Sequence, residues 1–152
     1  MPLLLALSCP SGSGTPVVEA VTFAAEPGEI YVPLGEAAKA LGWPVQPDGA
    51  DKQVRLNGST IPTKALRRLL DGTKLVRISH LEGTGAPVIR NQSGKALNVG
   101  PAVRYFTAVV DDKRAEVSLA EQRLRCWQGK RLVLESRISS GRRGSTPTGS
   151  FR

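Results

Sequence analysis

The chain has few of the residues that build metal centres and disulfide frameworks. Its 152 residues include two cysteines, Cys9 and Cys126, and a single histidine, His80. Two cysteines cannot form a multi-bridge scaffold, and one histidine outside any cluster provides no metal-ligand set. We therefore predict a protein without a metal centre and without a cofactor.

Long apolar runs are also missing. After residue 8 no stretch is long and apolar enough to span a bilayer, so we expect no integral membrane span. Hydrophobic residues make up 40% of the chain and charged residues 22%, which is typical of a globular protein rather than a disordered tail. A compact fold of this size buries roughly 68–70% of its unfolded surface, so we expect a substantial core.

Positive charge is unevenly distributed. The formal net charge is +8, and residues 113–152 hold ten Lys and Arg against three Asp and Glu. This surplus suggests an anionic partner, either nucleic acid or an anionic cell-wall surface, although a solvated Arg-rich strand face also explains it. Only Trp127 and Phe151 interleave with the basic residues, and no nucleic-acid-binding signature is present, so nucleic acid is the less favoured partner.

Residues 1–15 are predicted to be a signal remnant followed by a linker. Met1–Ser8 is apolar but lacks the basic start of a secretory signal. Ala6-Leu7-Ser8-Cys9 resembles the lipobox of bacterial lipoproteins, in which the cysteine is lipidated, with Ala6 in place of the usual leucine. We expect an exported protein of the cell envelope; lipid anchoring through Cys9 and a chance apolar start of a cytoplasmic protein are the alternatives.

The first folded unit is predicted to begin with a strand, a helix and a hairpin. Ile30–Leu34 has the β-branched and aromatic composition of a strand, and Gly35–Leu41 has helical spacing of its apolar residues. Gly42 can adopt the left-handed conformation that ends a helix. Gln53–Leu56 alternates like a strand, and Asn57-Gly58 is a hairpin signal.

The same order is predicted to recur about 43 residues later. Leu75–Ile78 corresponds to the first strand, and Gly85–Val88 corresponds to Gly42–Val45, the glycine and predicted second strand after the helix. Asn91–Gly94 corresponds to the predicted turn at Pro47–Ala50. Lys95–Val99 corresponds to the third strand, which follows that turn. We therefore predict a duplicated unit over residues 16–112.

This unit resembles a known module of exported bacterial proteins. Tyr31-Val-Pro-Leu, the Ala-rich helix and Leu41-Gly42-Trp43 resemble the copper amine oxidase N-terminal-like domain over about residues 16–62, with a second copy over about 73–100. The resemblance implies a β-α-β stalk with a binding or spacing role and no copper centre. Tyr31 and Trp43 are expected to pack in the core, with ligand stacking as the alternative.

From Lys113 the pattern changes to an antiparallel meander. Glu116–Leu119, Leu124–Trp127 and Arg131–Ile138 are predicted strands, joined by a turn at 120–123 and a glycine turn at 128–130. Cys126 shares a strand face with Leu124, so we expect it to pack in a core.

From residue 122 the chain contains, in this order, Gln122-Arg123-Leu124, Trp127, Gly129, Ser140-Gly141 and Thr146-Pro147-Thr148-Gly149-Ser150-Phe151. This order of pieces resembles the start of the L,D-transpeptidase catalytic domain, also called the YkuD domain. The resemblance implies acyl transfer between peptidoglycan stem peptides, with a cysteine thiolate as nucleophile and a nearby histidine in a Ser-His-Gly-Cys motif. Thr146, Pro147 and Gly149 are implied to shape the substrate cleft.

That motif does not occur in residues 1–152, so no catalytic residue is assigned. Cys126 has no Ser-His-Gly before it, and we expect this chain alone to be inactive. The predicted fold class is α+β or mainly β: stalk repeats over 16–112, then the first antiparallel strands of an incomplete L,D-transpeptidase β-domain over 113–152. The alternative function is a non-enzymatic cell-envelope binding module.

Overall fold

The computed structural model describes residues 14–48, 53–141 and 149, and the described part of the chain is mainly β with two short α-helices. The predicted class is therefore confirmed at this level. The strands up to residue 112 are β1 (Val17–Thr22), β2 (Ile30–Pro33), β3 (Val45–Asp48), β4 (Gln53–Leu56), β5 (Ser59–Ile61), β6 (Leu66–Arg68), β7 (Lys74–Arg77), β8 (Val88–Arg90), β9 (Ala96–Val99) and β10 (Phe106–Val110). The helices are α1 (Leu34–Leu41) and α2 (Ile78–Gly83), and Thr63–Ala65 forms a 3-10 turn.

Seven of these strands form one sheet in the order β6-β7-β2-β1-β10-β9-β8. The first strand lies at its centre, where β1 pairs antiparallel with β2 and parallel with β10. The parallel pairing runs from Val17 opposite Thr107 to Ala20 opposite Val110. The first and last strands up to residue 112 are therefore neighbours in the sheet.

The order strand, helix, strand, strand occurs twice. It appears as β2-α1-β3-β4 and again as β7-α2-β8-β9, at the positions where the sequence shows its internal repeat. The leading strands of the two copies are antiparallel neighbours, with Val32 opposite Val76. The second copy also contains a helix, α2, which begins at Ile78, a residue assigned to the strand from sequence.

Helix α1 ends as its sequence predicts. Leu34, Ala37, Ala38 and Leu41 form its buried face. Gly42 has φ 69°, and its N–H donates to Lys39 O while the Trp43 N–H donates to Ala38 O at 2.9 Å. This pair of bonds is a Schellman cap, which satisfies carbonyls that the end of the helix leaves without partners.

The central sheet has side chains of the core on both faces, because neighbours on a strand point in opposite directions. On one face Val32 and Val76 pack with both helices in the large core. On the other face Tyr31 and Leu75 form a smaller cluster, against which Val133 packs. Tyr31 is fully buried, which confirms its expected core position, and Trp43 packs partly buried against the large core.

Strands β3, β4 and β5 form a separate small sheet. The predicted hairpin at Asn57-Gly58 is present, with positive φ at both residues (51° and 79°), as a type I′ turn requires. Pro47 and Asp48, the first two residues of the turn predicted at Pro47–Ala50, pair with β4 as strand residues. Gly49 and Ala50 lie outside the described residues.

Residues 113–137 form a three-stranded antiparallel meander, as the sequence predicts. Its strands are β11 (Lys113–Ser118), β12 (Arg123–Gln128) and β13 (Arg131–Arg137). Each predicted boundary is within three residues of the observed one. The register between β12 and β13 shifts between Cys126, which lies opposite Leu134, and Trp127, which lies opposite Leu132.

The meander is attached by polar contacts to the described residues before it, 14–48 and 53–112, which we call the stalk unit after the sequence prediction. The Gln128 side chain is buried; its Oε1 accepts from the Thr22 N–H at 2.8 Å, and its Nε2 donates to Asp111 O at 3.1 Å. Arg131 binds both carboxylate oxygens of Glu36 on α1, at 2.7 and 2.8 Å. The predicted division at residue 112 thus falls at a junction that side-chain hydrogen bonds cross.

Candidate functional site

The predicted cleft loop lies mostly outside the described residues. Thr146 and Pro147 lie outside the described residues. Gly149 is exposed and has φ 149°. Residues that have a Cβ rarely adopt this backbone conformation, which gives a physical reason for glycine at this position.

The chain just before this loop is held by Gln122. The Gln122 Nε2 donates to Ser140 Oγ at 2.9 Å, and the Ser140 N–H donates back to Gln122 Oε1 at 3.0 Å. Nε2 also donates to Leu119 O, and the main-chain carbonyl of Gln122 accepts from the Ile138 N–H at 3.0 Å. One residue thereby joins the first turn of the meander to the segment that leads into the predicted cleft loop.

Gln122 itself has φ 53°, an uncommon conformation for a residue other than glycine. The four bonds that it makes offset the cost of this backbone strain. Sequence reasoning placed Gln122 in a turn but did not identify its contact with Ser140, because Gln122 precedes β12 and Ser140 follows β13, 18 residues further along the chain.

Cys126 lies in the wall of an apolar hollow between the meander and the end of β1. The hollow has a volume of about 450 Å³, and its lining includes Phe23, Ala115, Cys126 and Leu134. Cys126 is only partly buried, so its expected position inside a core was wrong in degree. A three-stranded sheet covered on this face only at its edge leaves such side chains accessible, and Leu134 is 45% exposed.

Nothing on the described residues provides Cys126 with a catalytic base. The single histidine, His80, belongs to α2 in the stalk unit. Burial lowers the pKa of His80, and its Nε2 has no hydrogen-bond partner among the described residues. His80 is thus a neutral side chain packed beside the core rather than part of a thiol-imidazole pair.

Much of the positive charge of the meander is neutralised by ion pairs. Arg123 and Arg125 both approach Glu135, and Arg114 binds Glu116 at 3.0 Å. The Arg114 guanidinium also lies 5.2 Å from the centre of the Trp127 ring. These contacts favour the interpretation of an Arg-rich strand face over that of an open anion-binding surface on this part of the meander.

A second cluster of charges surrounds Tyr31. The Tyr31 hydroxyl donates to Glu26 Oε2 at 2.9 Å and accepts from Arg77 Nη2 at 2.9 Å. Arg67 and Arg77 both bind Glu26 and lie 5.8 and 5.6 Å from the centre of the tyrosine ring. The hydrogen bond from Tyr31, followed by the two guanidinium charges, lowers the pKa of Glu26. Every member has a partner, so the cluster joins β2 to β6 and β7 rather than offering a binding site.

An open groove lies beside α1, and we call it the α1 groove. It has a volume of about 620 Å³, and its walls come from the start of β1, the exposed side of α1 and the loop before β10. Its charged or aromatic lining residues are Glu36, Lys39, Arg104 and Tyr105. Sequence reasoning missed this groove because Lys39 and Arg104 belong to distant segments with no shared motif.

The described residues contain no grouped metal ligands and no helix that could span a membrane. Within 14–48 and 53–141, no three His, Cys, Asp or Glu side chains are grouped as a metal site requires. Neither α1 nor α2 has the length and apolar character needed to cross a bilayer.

Comparison with protein-family models, with curated proteins and with solved structures gave no match to this chain.

Proposed function

We propose that this chain is part of an exported bacterial peptidoglycan L,D-transpeptidase. In this proposal residues 16–112 are the stalk and the meander from Lys113 is the first part of the catalytic domain. Stem peptides of peptidoglycan are the substrates, and the chain supplies no cofactor site. The catalytic cysteine and histidine are not among residues 1–152, since no Ser-His-Gly-Cys motif occurs there.

The observation that carries the proposal is the bonding of Gln122 to Ser140. These two residues belong to separate pieces of the sequence pattern that resembles the L,D-transpeptidase domain, and the fold brings them within hydrogen-bonding distance. A coincidental match of short strings gives no reason for such a contact. The antiparallel order β11-β12-β13, with turns at the positions of the pattern, supports the proposal further.

The physical role of this arrangement is to hold the cleft loop. Ser140 is fixed through its N–H and its hydroxyl, so the backbone enters residues 142–149 from a defined position. A proline and a glycine in that loop restrict one backbone angle and release another, which suits close approach of main chain to a peptide substrate. In the proposal, Thr146, Pro147 and Gly149 contact or shape the cleft and perform no proton transfer.

The test is to determine the coding sequence that follows the Arg152 codon and to assay the encoded protein. We expect a Ser-His-Gly-Cys motif there, and acyl transfer between stem tetrapeptides that is abolished when the cysteine of that motif is replaced by alanine. An open reading frame without the motif would contradict the proposal. Transfer by the 152-residue chain that is lost in Cys126→Ala would contradict the assignment of the nucleophile.

The second candidate is a non-enzymatic module that binds the cell envelope. The α1 groove favours it, because a cationic groove on the stalk can hold anionic wall components without any chemistry. Sedimentation of the 152-residue chain with purified sacculi, measured at low and high salt, separates this function from a purely spacing role. A module that binds the wall electrostatically must sediment at low salt and be released at high salt.

A further inference from the structure

The α1 groove combines free positive charge with exposed apolar surface. Its lining includes two cations, Lys39 and Arg104, and one acidic residue, Glu36. Glu36 is held by both of its oxygens in the ion pair with Arg131. Its negative charge is thus already paired with a residue of the meander, and the groove has a surplus of positive charge.

Neither cation has a partner among the described residues. No hydrogen bond or ion pair of the Lys39 ammonium or the Arg104 guanidinium occurs within 14–48 and 53–141, and both residues are exposed. Gly42 contributes to the position of Arg104, because a Cβ at that glycine would overlap the guanidinium. The end of α1 therefore leaves room for Arg104 to lie beside the same helix that carries Lys39.

The apolar part of the groove flanks these charges. Val17 is 66% exposed and Val103 is 93% exposed, and Tyr105 contributes a half-buried ring. Contact between these exposed valines and an aliphatic group of a ligand is favourable, because it removes apolar surface from water. The Arg104 guanidinium offers a planar pair of donors that matches a carboxylate, and Lys39 offers a point charge.

These features point to a peptide ligand: we infer that the α1 groove binds the carboxylate end of a peptidoglycan stem peptide. The choice of stem peptide rests on the proposed function, whereas the requirement for a carboxylate beside small aliphatic side chains comes from the groove. Such binding holds the stalk against the polymer on which the catalytic domain acts.

The experiment is a calorimetric titration of the 152-residue chain with a stem tetrapeptide in two forms, the free acid and the C-terminal amide. We expect the free acid to bind and the amide to bind roughly tenfold more weakly, because loss of a charge-assisted hydrogen bond costs about 1.4 kcal/mol. Lys39→Gln and Arg104→Gln are each expected to raise the dissociation constant about threefold to tenfold.

Matched controls come from exposed cations elsewhere on the stalk. Lys74→Gln on β7 and Arg68→Gln on β6 remove the same charges away from the groove, and both are expected to leave binding unchanged. Equal thermal unfolding of all four variants shows that the fold is retained, as expected for exposed side chains.

The inference would be overturned if the free acid did not bind or if acid and amide bound equally. Full affinity in the Lys39→Gln/Arg104→Gln double variant would overturn it as well. Displacement of the peptide by an equal concentration of inorganic phosphate would also overturn it, since the groove would then recognise any anion. The outcome is independent of the sequence after Arg152, so failure here and failure of the proposed function are distinguishable.

Discussion

The stalk unit and the meander are stabilised in different ways. Every hydrophobic side chain that is buried in the described residues lies between Val18 and Ala108. In the meander the buried residue is a polar one, Gln128, and Val117 and Leu134 are 57% and 45% exposed. The stalk therefore has a hydrophobic core of its own, whereas the meander relies on strand pairing and on its contacts with the stalk.

We therefore expect the two segments to differ in their ability to fold alone, although both have clear strand patterns. Three strands become stable when one face packs against another layer. The meander meets the stalk through Val133, Gln128 and Arg131, and the rest of its apolar face borders the hollow beside Cys126. We expect the stability of the meander to depend on the contacts that these three residues make with the stalk unit.

The largest effect should come from the core of the stalk. Leu81 is fully buried in α2, and Leu81→Ala should lower the free energy of unfolding by about 2–5 kcal/mol, because it leaves a cavity. The matched change Leu134→Ala in the meander should cost less than about 1 kcal/mol, since that side chain is already 45% exposed. Urea unfolding measures both, and equal costs would remove the distinction between the two regions.

The next effect should come from the buried amide at the junction. Gln128→Ala leaves the Thr22 N–H and the Asp111 carbonyl without their partner and should cost about 1–3 kcal/mol. Trp43 and Trp127 report on the two regions separately when the other is replaced by phenylalanine. In Gln128→Ala the urea concentration at the midpoint of unfolding should fall mainly for the Trp127 signal.

The exposed Gln46→Ala change on β3 is the control for this experiment and should shift neither signal. If Gln128→Ala shifts both tryptophan signals equally, the junction is part of a single cooperative unit and the comparison fails.

A smaller effect should come from the Arg131–Glu36 ion pair. A double-mutant cycle with Arg131→Met and Glu36→Gln should give a coupling of about 0.5–1 kcal/mol, because one partner is largely buried. The Lys95–Asp112 pair, whose side chains are 68% and 92% exposed, is the control and should give about zero coupling. Similar couplings for both pairs would argue against a role for Arg131 in docking the meander.

The smallest effect depends on pH and belongs to the stalk alone. The pKa of Glu26 is held below its ordinary value of 4.5, first by the hydrogen bond from Tyr31. The stability this adds is complete above 4.5 and is lost as the pH falls through the lower folded pKa. The melting temperatures of the native chain and Glu26→Gln should therefore differ near neutral pH and converge in acid, measured by thermal unfolding. Parallel curves down to strongly acidic pH would contradict this.

Sequence patterns predict local structure well in this chain. The Schellman end of α1, the Asn57-Gly58 hairpin and the three strands of the meander each depend on residues that are neighbours along the chain. The parallel pairing of β1 with β10 was not predicted, because it joins segments that are far apart along the chain. The local sequence of either strand does not indicate which strand it pairs with. The predicted internal repeat likewise gave no indication that β2 and β7 are antiparallel neighbours.

The candidate sites follow the same rule. The φ of 149° at Gly149 gives a physical reason for a glycine there, and its place in a substrate cleft stays a prediction. The bond from Gln122 to Ser140 and the meeting of Lys39 with Arg104 in one groove depend on the tertiary fold. Cys126 was assigned to a core because strand alternation predicts which residues share a face but not whether another layer covers that face.

The most direct test of the difference between the two regions is native-state hydrogen exchange on the 152-residue chain. The account predicts that amides of β12 and β13 exchange through openings of lower free energy than amides of β1, β2 and β10, and that Gln128→Ala widens this gap. Equal protection of both regions, unchanged in Gln128→Ala, would contradict it.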